Sequence, residues 1–153
     1  GSKLINARGE TVHEKPSFRA AFKRRRCLIP ADGFFEWHQR DDDKVPMYIH
    51  KQDRSVFAMA GLWEIWSRDG NDIYSCTIIT TEANDFMKQY HHRMPVILHE
   101  EDYATWLSPD EEPTPVLREL IRPYEADAFA AYQVSKVVNK PANDLPACIE
   151  PVT

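Results

Sequence analysis

Glu36 stands between Phe35 and Trp37 in the run Phe34-Phe35-Glu36-Trp37-His38. A carboxyl held among apolar neighbours loses the water that favours its charged form, so its pKa rises and it can carry a proton near neutrality. Taken alone, Glu36 reads more simply as an outward-facing glutamate on an amphipathic strand. His91-His92-Arg93-Met94-Pro95 is a second chemical cluster. A histidine steadied by a nearby proline suits general acid/base work, with a capping or surface histidine as the alternative. As a zinc motif the pair is weak, because no HExxH spacing or cysteine partner accompanies it. Asn6-Ala7-Arg8 is the third: Asn both donates and accepts, and Arg carries a planar fork suited to phosphate.

These residues need elements to hold them. Phe34 to His38 reads as a strand with Phe34, Glu36 and His38 on one face and Phe35 and Trp37 on the other. It follows a short strand, Cys27 to Pro30, and an Ala31-Asp32-Gly33 turn. A polar hairpin loop, Arg40 to Lys44, leads to a strand at Met47 to His50. Val56 to Trp66 is a long apolar strand in which Gly61 suggests a bulge or bend. Ile73 to Thr80, rich in β-branched residues, is another strand. Pro16 to Arg24 reads as a short helix with a basic face, and Thr81 to Tyr90 as a helix. His91 to Pro95 follows as an irregular loop, because Pro95 biases its predecessor away from α. Helices at Glu100–Leu107 and Val116–Ile121, a strand at Phe129–Val134 and an extended tail from Pro141 complete the pattern. Its class is α+β: a mostly antiparallel curled sheet or barrel with short peripheral helices.

The chain has 153 residues, a length that suits one domain spanning 1–153. It contains no apolar run long enough to cross a bilayer, and its start lacks the layout of a signal peptide. Cys27, Cys76 and Cys148 are odd in number and widely spaced, which argues against a disulfide framework and a zinc site and favours a reducing cytoplasm. Cys27 and Cys76 lie in apolar strands and are expected in the core, as are most of Trp37, Trp63, Trp66 and Trp106. Net charge is −5, yet residues 1–40 hold nine Lys/Arg against four Asp/Glu. That segment is either a solvated face or a phosphate-binding stripe on an acidic chain.

Three segments together carry a resemblance. Ile5-Asn6-Ala7-Arg8-Gly9-Glu10-Thr11, Arg26 through Trp37 with its Ala-Asp-Gly-Phe-Phe-Glu-Trp block, and His91 through Leu98 resemble, in order, the motifs of the SOS response-associated peptidase (SRAP) family of abasic-site processing proteins. Val134-Ser135 with Val138-Asn139 is similar to the family's closing strand. The resemblance spans nearly the whole chain.

It implies a DNA-damage protein that senses abasic sites in single-stranded DNA, needs no cofactor or metal, and works in the cytoplasm at the nucleoid. By the same resemblance Asn6, Glu36 and His91 are the catalytic residues, and Arg8 and Arg93 contact DNA phosphates. His92 falls where the family often has Asp and receives no role. The reaction implied is capture of the abasic aldehyde by an N-terminal cysteine: an imine forms first, then a thiazolidine. The peptidase activity is removal of the initiator Met. That cysteine and the strands after it are expected to be missing here, so this chain is expected to lack the nucleophile. It is also expected to associate with the missing segment through an exposed sheet edge. Two rivals stand beside this reading. One is a non-catalytic single-strand-binding module using Arg8, Arg19, Lys23, Arg24, Arg25 and Arg26. The other is a thiol hydrolase using Cys27 or Cys76.

Overall fold

The computed structural model describes residues 5–110 and 112–152. The readings of Gly1 to Leu4 lie outside the described residues. Two sheets form the body of the molecule. The larger holds β1 (Asn6–Arg8), β2 (Arg26–Ala31), β5 (Phe57–Arg68), β6 (Asn71–Glu82), β7 (Arg93–Pro95) and β8 (Ile97–Leu98), with its main path running β1-β6-β5-β2. The smaller holds β3 (Phe34–Arg40), β4 (Asp43–Lys51) and β9 (Phe129–Gln133), in the order β3-β4-β9. Every ladder is antiparallel except β1 on β6. Short helices α1 (Arg19–Arg24), α2 (Tyr103–Leu107) and α3 (Thr114–Glu119) pack on the outside. This is the α+β, mostly antiparallel curled architecture that the strand pattern implied.

Alternation sorts the side chains of the larger sheet into two cores. On one face Ala7, Ala60, Leu62, Ile79, Val96 and Leu98 meet Phe22 of α1, Trp106 of α2 and Leu117 of α3. On the other, Phe57, Met59 and Ile97 meet Ile49 and Phe129 of the smaller sheet. Trp106 and Phe22 are fully buried edge to face, and removing either ring should cost about 3–5 kcal/mol.

Arg26 ties the helical side together. Its guanidinium donates to the carbonyl oxygens of Phe22, Lys23, Trp106 and Ser108 at 2.7–2.8 Å. These are acceptors that the ends of α1 and α2 leave unpaired.

Several local expectations change. The helix read from Pro16 starts at Arg19. Gly61 makes no bulge: both ladders run through it in unbroken register. It is glycine because a Cβ would lie 2.6 Å from Ile29 Cδ1 and 3.0 Å from Cys27 Sγ. Thr81 to Tyr90 is not a helix. Thr81 and Glu82 are committed to the ladder with β7, the Ala83 N–H to the His92 carbonyl, and only Met87–Gln89 coils, as a 3-10 turn.

Residues 93–95, read as loop, form β7. The expected closing strand is a single bridge, Val134 to Pro151, followed by a 3-10 turn at Lys136–Asn139. The tail also coils at Pro146–Ile149. No helix among the described residues is long and apolar enough to cross a membrane.

Beyond Leu62 and Ile78 the strands β5 and β6 continue as a two-stranded arm, closed at Asp69-Gly70. Ile65, Trp66, Ile73 and Tyr74 are exposed there, Tyr74 by 69%. Cys76 is exposed as well, against its expected place in the core, and so is Trp66. The outer edges of this arm carry no strand partner among the described residues over 64–68 of β5 and 71–76 of β6. Unpaired edges lined with apolar side chains template association. The chain is therefore expected to self-associate with rising concentration, and Trp66→Lys with Ile73→Lys to return it to monomer. Light scattering across a dilution series checks this, and a wild-type monomer at all concentrations contradicts it.

Candidate functional site

Ile78 and Thr80 of β6 define one floor of a cavity of about 270 Å³ at the rim of the core between the sheets. β1 lies parallel to β6 with Asn6 opposite Ile78 and Arg8 opposite Thr80, so both side chains share the inner face with Ile78 and Thr80. β7 lies antiparallel on the other side, with Arg93 opposite Glu82 and Pro95 opposite Thr80. The smaller sheet supplies the opposite wall, with Phe34 and Glu36 pointing inward across from Ile49 and Met47. The structure thus brings Asn6, Glu36, His91 and Arg93 to the lining of one cavity, along with Met59 and Met94. Arg8 does not line it.

Glu36 is half-buried, and the loss of solvent raises its pKa above the usual carboxylate range, with the nearby His91 pulling weakly the other way. By alternation Phe35 and Trp37 lie on the other face of β3 from Glu36, although Phe35 also borders the cavity; Phe34, Met59 and Ile78 are the further apolar residues that line it with Glu36.

His91 is exposed and its ring stacks on His92 at 4.5 Å. Its Nδ1 accepts the backbone N–H of Arg93 at 3.0 Å and also lies 3.3 Å from the Arg93 carbonyl oxygen. A neutral Nδ1 takes the first contact and a protonated Nδ1 can use the second. The ring can therefore change charge without stranding that nitrogen.

Arg93 is not free. Its two terminal nitrogens meet the Glu10 carboxylate oxygens at 2.7 Å each, and Nη2 also donates to the Thr80 carbonyl at 3.0 Å and hydroxyl at 3.1 Å. The Arg93 side chain is 12% exposed, whereas that of Arg8 is 61% exposed and only brushes Glu10 at 3.8 Å. The Glu10 carboxyl is lowered to about 2, chiefly by its hydrogen bonds from Arg93. Glu10 and Thr80 went unseen in the sequence. The only signal for Glu10 was an acidic residue two places after Arg8 in an Arg-Gly-Glu string.

The expected basic stripe is dismantled at its C-terminal end: Arg26 is buried on carbonyls, and Arg25 pairs with Glu64 at 2.6 Å and with the Trp63 carbonyl. Cys27 is partly buried and its thiol pKa is raised by desolvation, which disfavours the thiolate an internal nucleophile requires. Cys76 has no such burial, but it sits on the arm, outside this cavity. Among the described residues no three His, Cys, Asp or Glu side chains are grouped to hold a metal ion.

The chain is similar to several known proteins. A model of the SOS response associated peptidase (SRAP) family matches residues 1–141. Abasic site processing protein YoqW of Bacillus subtilis (strain 168) is 49% identical over 152 residues, covering 98% of this chain and 68% of that protein. Abasic site processing protein HMCES of Gallus gallus is 36% identical over 172 residues, covering 98% of this chain and 51% of that protein. A crystal structure of a protein from Bacteroides thetaiotaomicron superposes with a TM-score of 0.90 at 32% identity, covering 99% of this chain and 67% of that one. The chain therefore spans about two thirds of these bacterial proteins and half of the vertebrate one.

The two carboxyls of the site carry opposite pH signatures. Glu36 holds its proton more tightly in the fold than in the unfolded chain, so its contribution is complete at low pH and is lost as pH rises through the folded value. Glu10 contributes fully above the usual carboxylate range and loses its contribution as pH falls towards about 2. Denaturant midpoints measured from pH 3 to pH 8 should thus show Glu36→Gln gaining on the wild type as pH rises and Glu10→Gln losing ground. Differences that stay flat with pH would contradict both assignments.

Proposed function

This chain belongs to the SOS response associated peptidase family, and from that premise we propose that it forms most of the domain with which a DNA-damage protein captures abasic sites in single-stranded DNA. One observation carries the reading: Asn6, Glu36 and His91, separated by up to 85 positions, line a single cavity large enough for a sugar-sized group. The same reading places the protein in the cytoplasm at the nucleoid, as one domain over residues 1–153.

The chemistry we propose begins with the ring-opened aldehyde of an abasic deoxyribose. A terminal cysteine amine adds to the aldehyde carbon, and the carbonyl oxygen leaves as water, giving an imine. The cysteine sulfur then bonds to the imine carbon while its proton passes to the nitrogen, closing a thiazolidine. Each step moves a proton between nitrogen, oxygen and sulfur. Glu36, whose burial keeps a proton available above the ordinary carboxylate range, suits delivery of the proton that converts hydroxyl into leaving water. His91 suits the return transfer, because its Nδ1 keeps a backbone partner in either charge state. Asn6 can orient the amine or a sugar hydroxyl with its amide.

Cys27, Cys76 and Cys148 all lie within the chain and have no free α-amine, so the nucleophile is to be supplied by a terminal cysteine exposed after removal of an initiator Met. We place the further chain that longer relatives carry along the outer edges of the β5–β6 arm, over 64–68 of β5 and 71–76 of β6.

Arg8 is the cation with reach to a phosphate, while Arg93 is already paired. The non-catalytic alternative loses two of its six cations, Arg25 and Arg26, to internal bonds. It also offers no reason for a proton-holding Glu36 in a cavity.

The test uses a form that carries the processed N-terminal cysteine, mixed with single-stranded DNA bearing one abasic site. An adduct that survives heat and detergent is expected, absent on undamaged DNA, with Glu36→Gln and His91→Ala slowing its formation by roughly 10²-fold or more. With the N-terminus verified, no adduct on abasic DNA sinks the proposal.

A further inference from the structure

We propose that Glu10 is a positioning residue of the site: by gripping the Arg93 guanidinium it fixes the backbone amide that orients the His91 ring. The inference rests on the reading of His91 as a proton carrier. It assigns a task to a residue that the three recognised motif positions around it do not explain.

Glu10 and Arg93 lie 83 residues apart and meet by two parallel hydrogen bonds of 2.7 Å. Such a fork fixes the guanidinium in plane and direction, which a single contact does not. Nη2 is further held by the carbonyl and hydroxyl of Thr80, while the buried Nε has no acceptor among the described residues. The guanidinium is therefore held from its outer end. Among the described residues Glu10 accepts two of the four hydrogen bonds made there, and the charged ones.

What Arg93 transmits is local. Its backbone N–H lies 3.0 Å from His91 Nδ1, and that bond requires a lone pair on Nδ1. A neutral ring so held carries its proton on Nε2. The amide can dictate this only while Arg93 itself is stationary. β7 is three residues long, and Arg93 stands opposite Glu82 at a non-hydrogen-bonded position of the ladder, so β6 does not hold its N–H.

Gly9 shows that the approach of Glu10 is built in. Its N–H donates to the same Thr80 carbonyl at 2.8 Å. A Cβ there would lie 2.9 Å from that oxygen and 2.3 Å from Ile121 Cγ2. Only glycine lets the chain turn this tightly against β6, and the next residue is the one that reaches Arg93. The arrangement also occupies the Arg93 charge, so the clamp holds the catalytic wall and leaves phosphate contact to Arg8.

The tautomer of His91 reads this directly, on the chain as it is and without DNA. Long-range ¹H–¹⁵N spectra at a pH where the ring is neutral should show the Nε2–H form in the wild type. Glu10→Gln keeps the size of the side chain but removes its charge. It should collapse the separation between the two ring nitrogen shifts towards that of a mixed population, with backbone amide spectra confirming the fold. Glu10→Asp, which is charged but one methylene shorter, should fall between the two and carries the test by itself if Glu10→Gln does not fold. A folded variant with the wild-type pattern overturns the proposal. The adduct assay separates the two levels. A tautomer change without any wild-type adduct sinks the functional reading and spares the clamp, and an adduct with an unchanged tautomer does the reverse.

Discussion

Val96 gives its N–H to the Ile79 carbonyl of β6 and accepts the Ala60 N–H of β5 at its own carbonyl, both at 2.8 Å. One residue thereby bridges two strands that pair directly until Gly61 and Ile78 and then part. The gap is filled by Arg93 to Leu98, which pairs first with β6 and then with β5. This wedge is the constraint behind the site. It carries His91, Arg93 and Met94 into the space beside Thr80, and it curls the sheet so that the smaller sheet can close the opposite side with Glu36. Pro95 fits the wedge at no cost in hydrogen bonds. The pairs flanking it, Thr81 with Met94 and Ile79 with Val96, use the ladder bonds. Antiparallel alternation therefore leaves Pro95 opposite Thr80 in a position that needs no N–H.

Charge is distributed around the cavity by the same geometry. An exposed ion pair contributes little, but a forked one with an arginine almost withdrawn from water is a mechanical link as much as an electrostatic one. Glu10 and Arg93 make such a link. Glu36, across the cavity, is half-buried, and the loss of solvent, with no cation bonded to it among the described residues, makes it keep its proton longer. A site that must both give and take protons benefits from holding one carboxylate firmly ionised and one inclined to stay neutral. Part of the positive balance of the first forty residues goes into structure: Arg26 closes helix ends and Arg25 pins the base of the arm, while Arg8 leans out beside the cavity.

Much of the frame was legible in the sequence. The alternation of Phe34, Glu36 and His38 correctly set the inward face of β3, and the β-branched run before Thr80 marked β6. What escaped depended on partners distant in the chain. A three-residue strand containing proline has no periodicity of its own, so β7 was read as loop. Thr81 to Tyr90 has the composition of a helix, but β7 had already claimed the backbone groups at its start. Cys76 and Trp66 look like core residues by neighbourhood. Burial depends on what lies across the strand, and on the arm both residues are exposed. The meeting of Asn6, Glu36 and His91 could be expected only from resemblance, and Glu10 gave almost no signal, because a clamp is a property of two segments at once.

The position of the cavity explains why one fold can tune a carboxyl and still admit a large substrate. A residue deep in the core between the sheets would be inaccessible, and one on the arm would keep its ordinary water. The rim offers one apolar side, made by Phe34, Met59 and Ile78, and one open side, where His91 and Asn6 are exposed. Glu36 meets the apolar side first because β3 leaves the Asp32-Gly33 turn directly above it. There Gly33 has no Cβ, and the Tyr48 ring occupies the space one would fill. Moving that turn by one residue would flip Glu36 to the face of Phe35 and Trp37. The tuned proton and the register of one short strand are therefore the same fact. This is why the Ala-Asp-Gly-Phe-Phe-Glu-Trp block has to be read as a unit, not as a glutamate with neighbours.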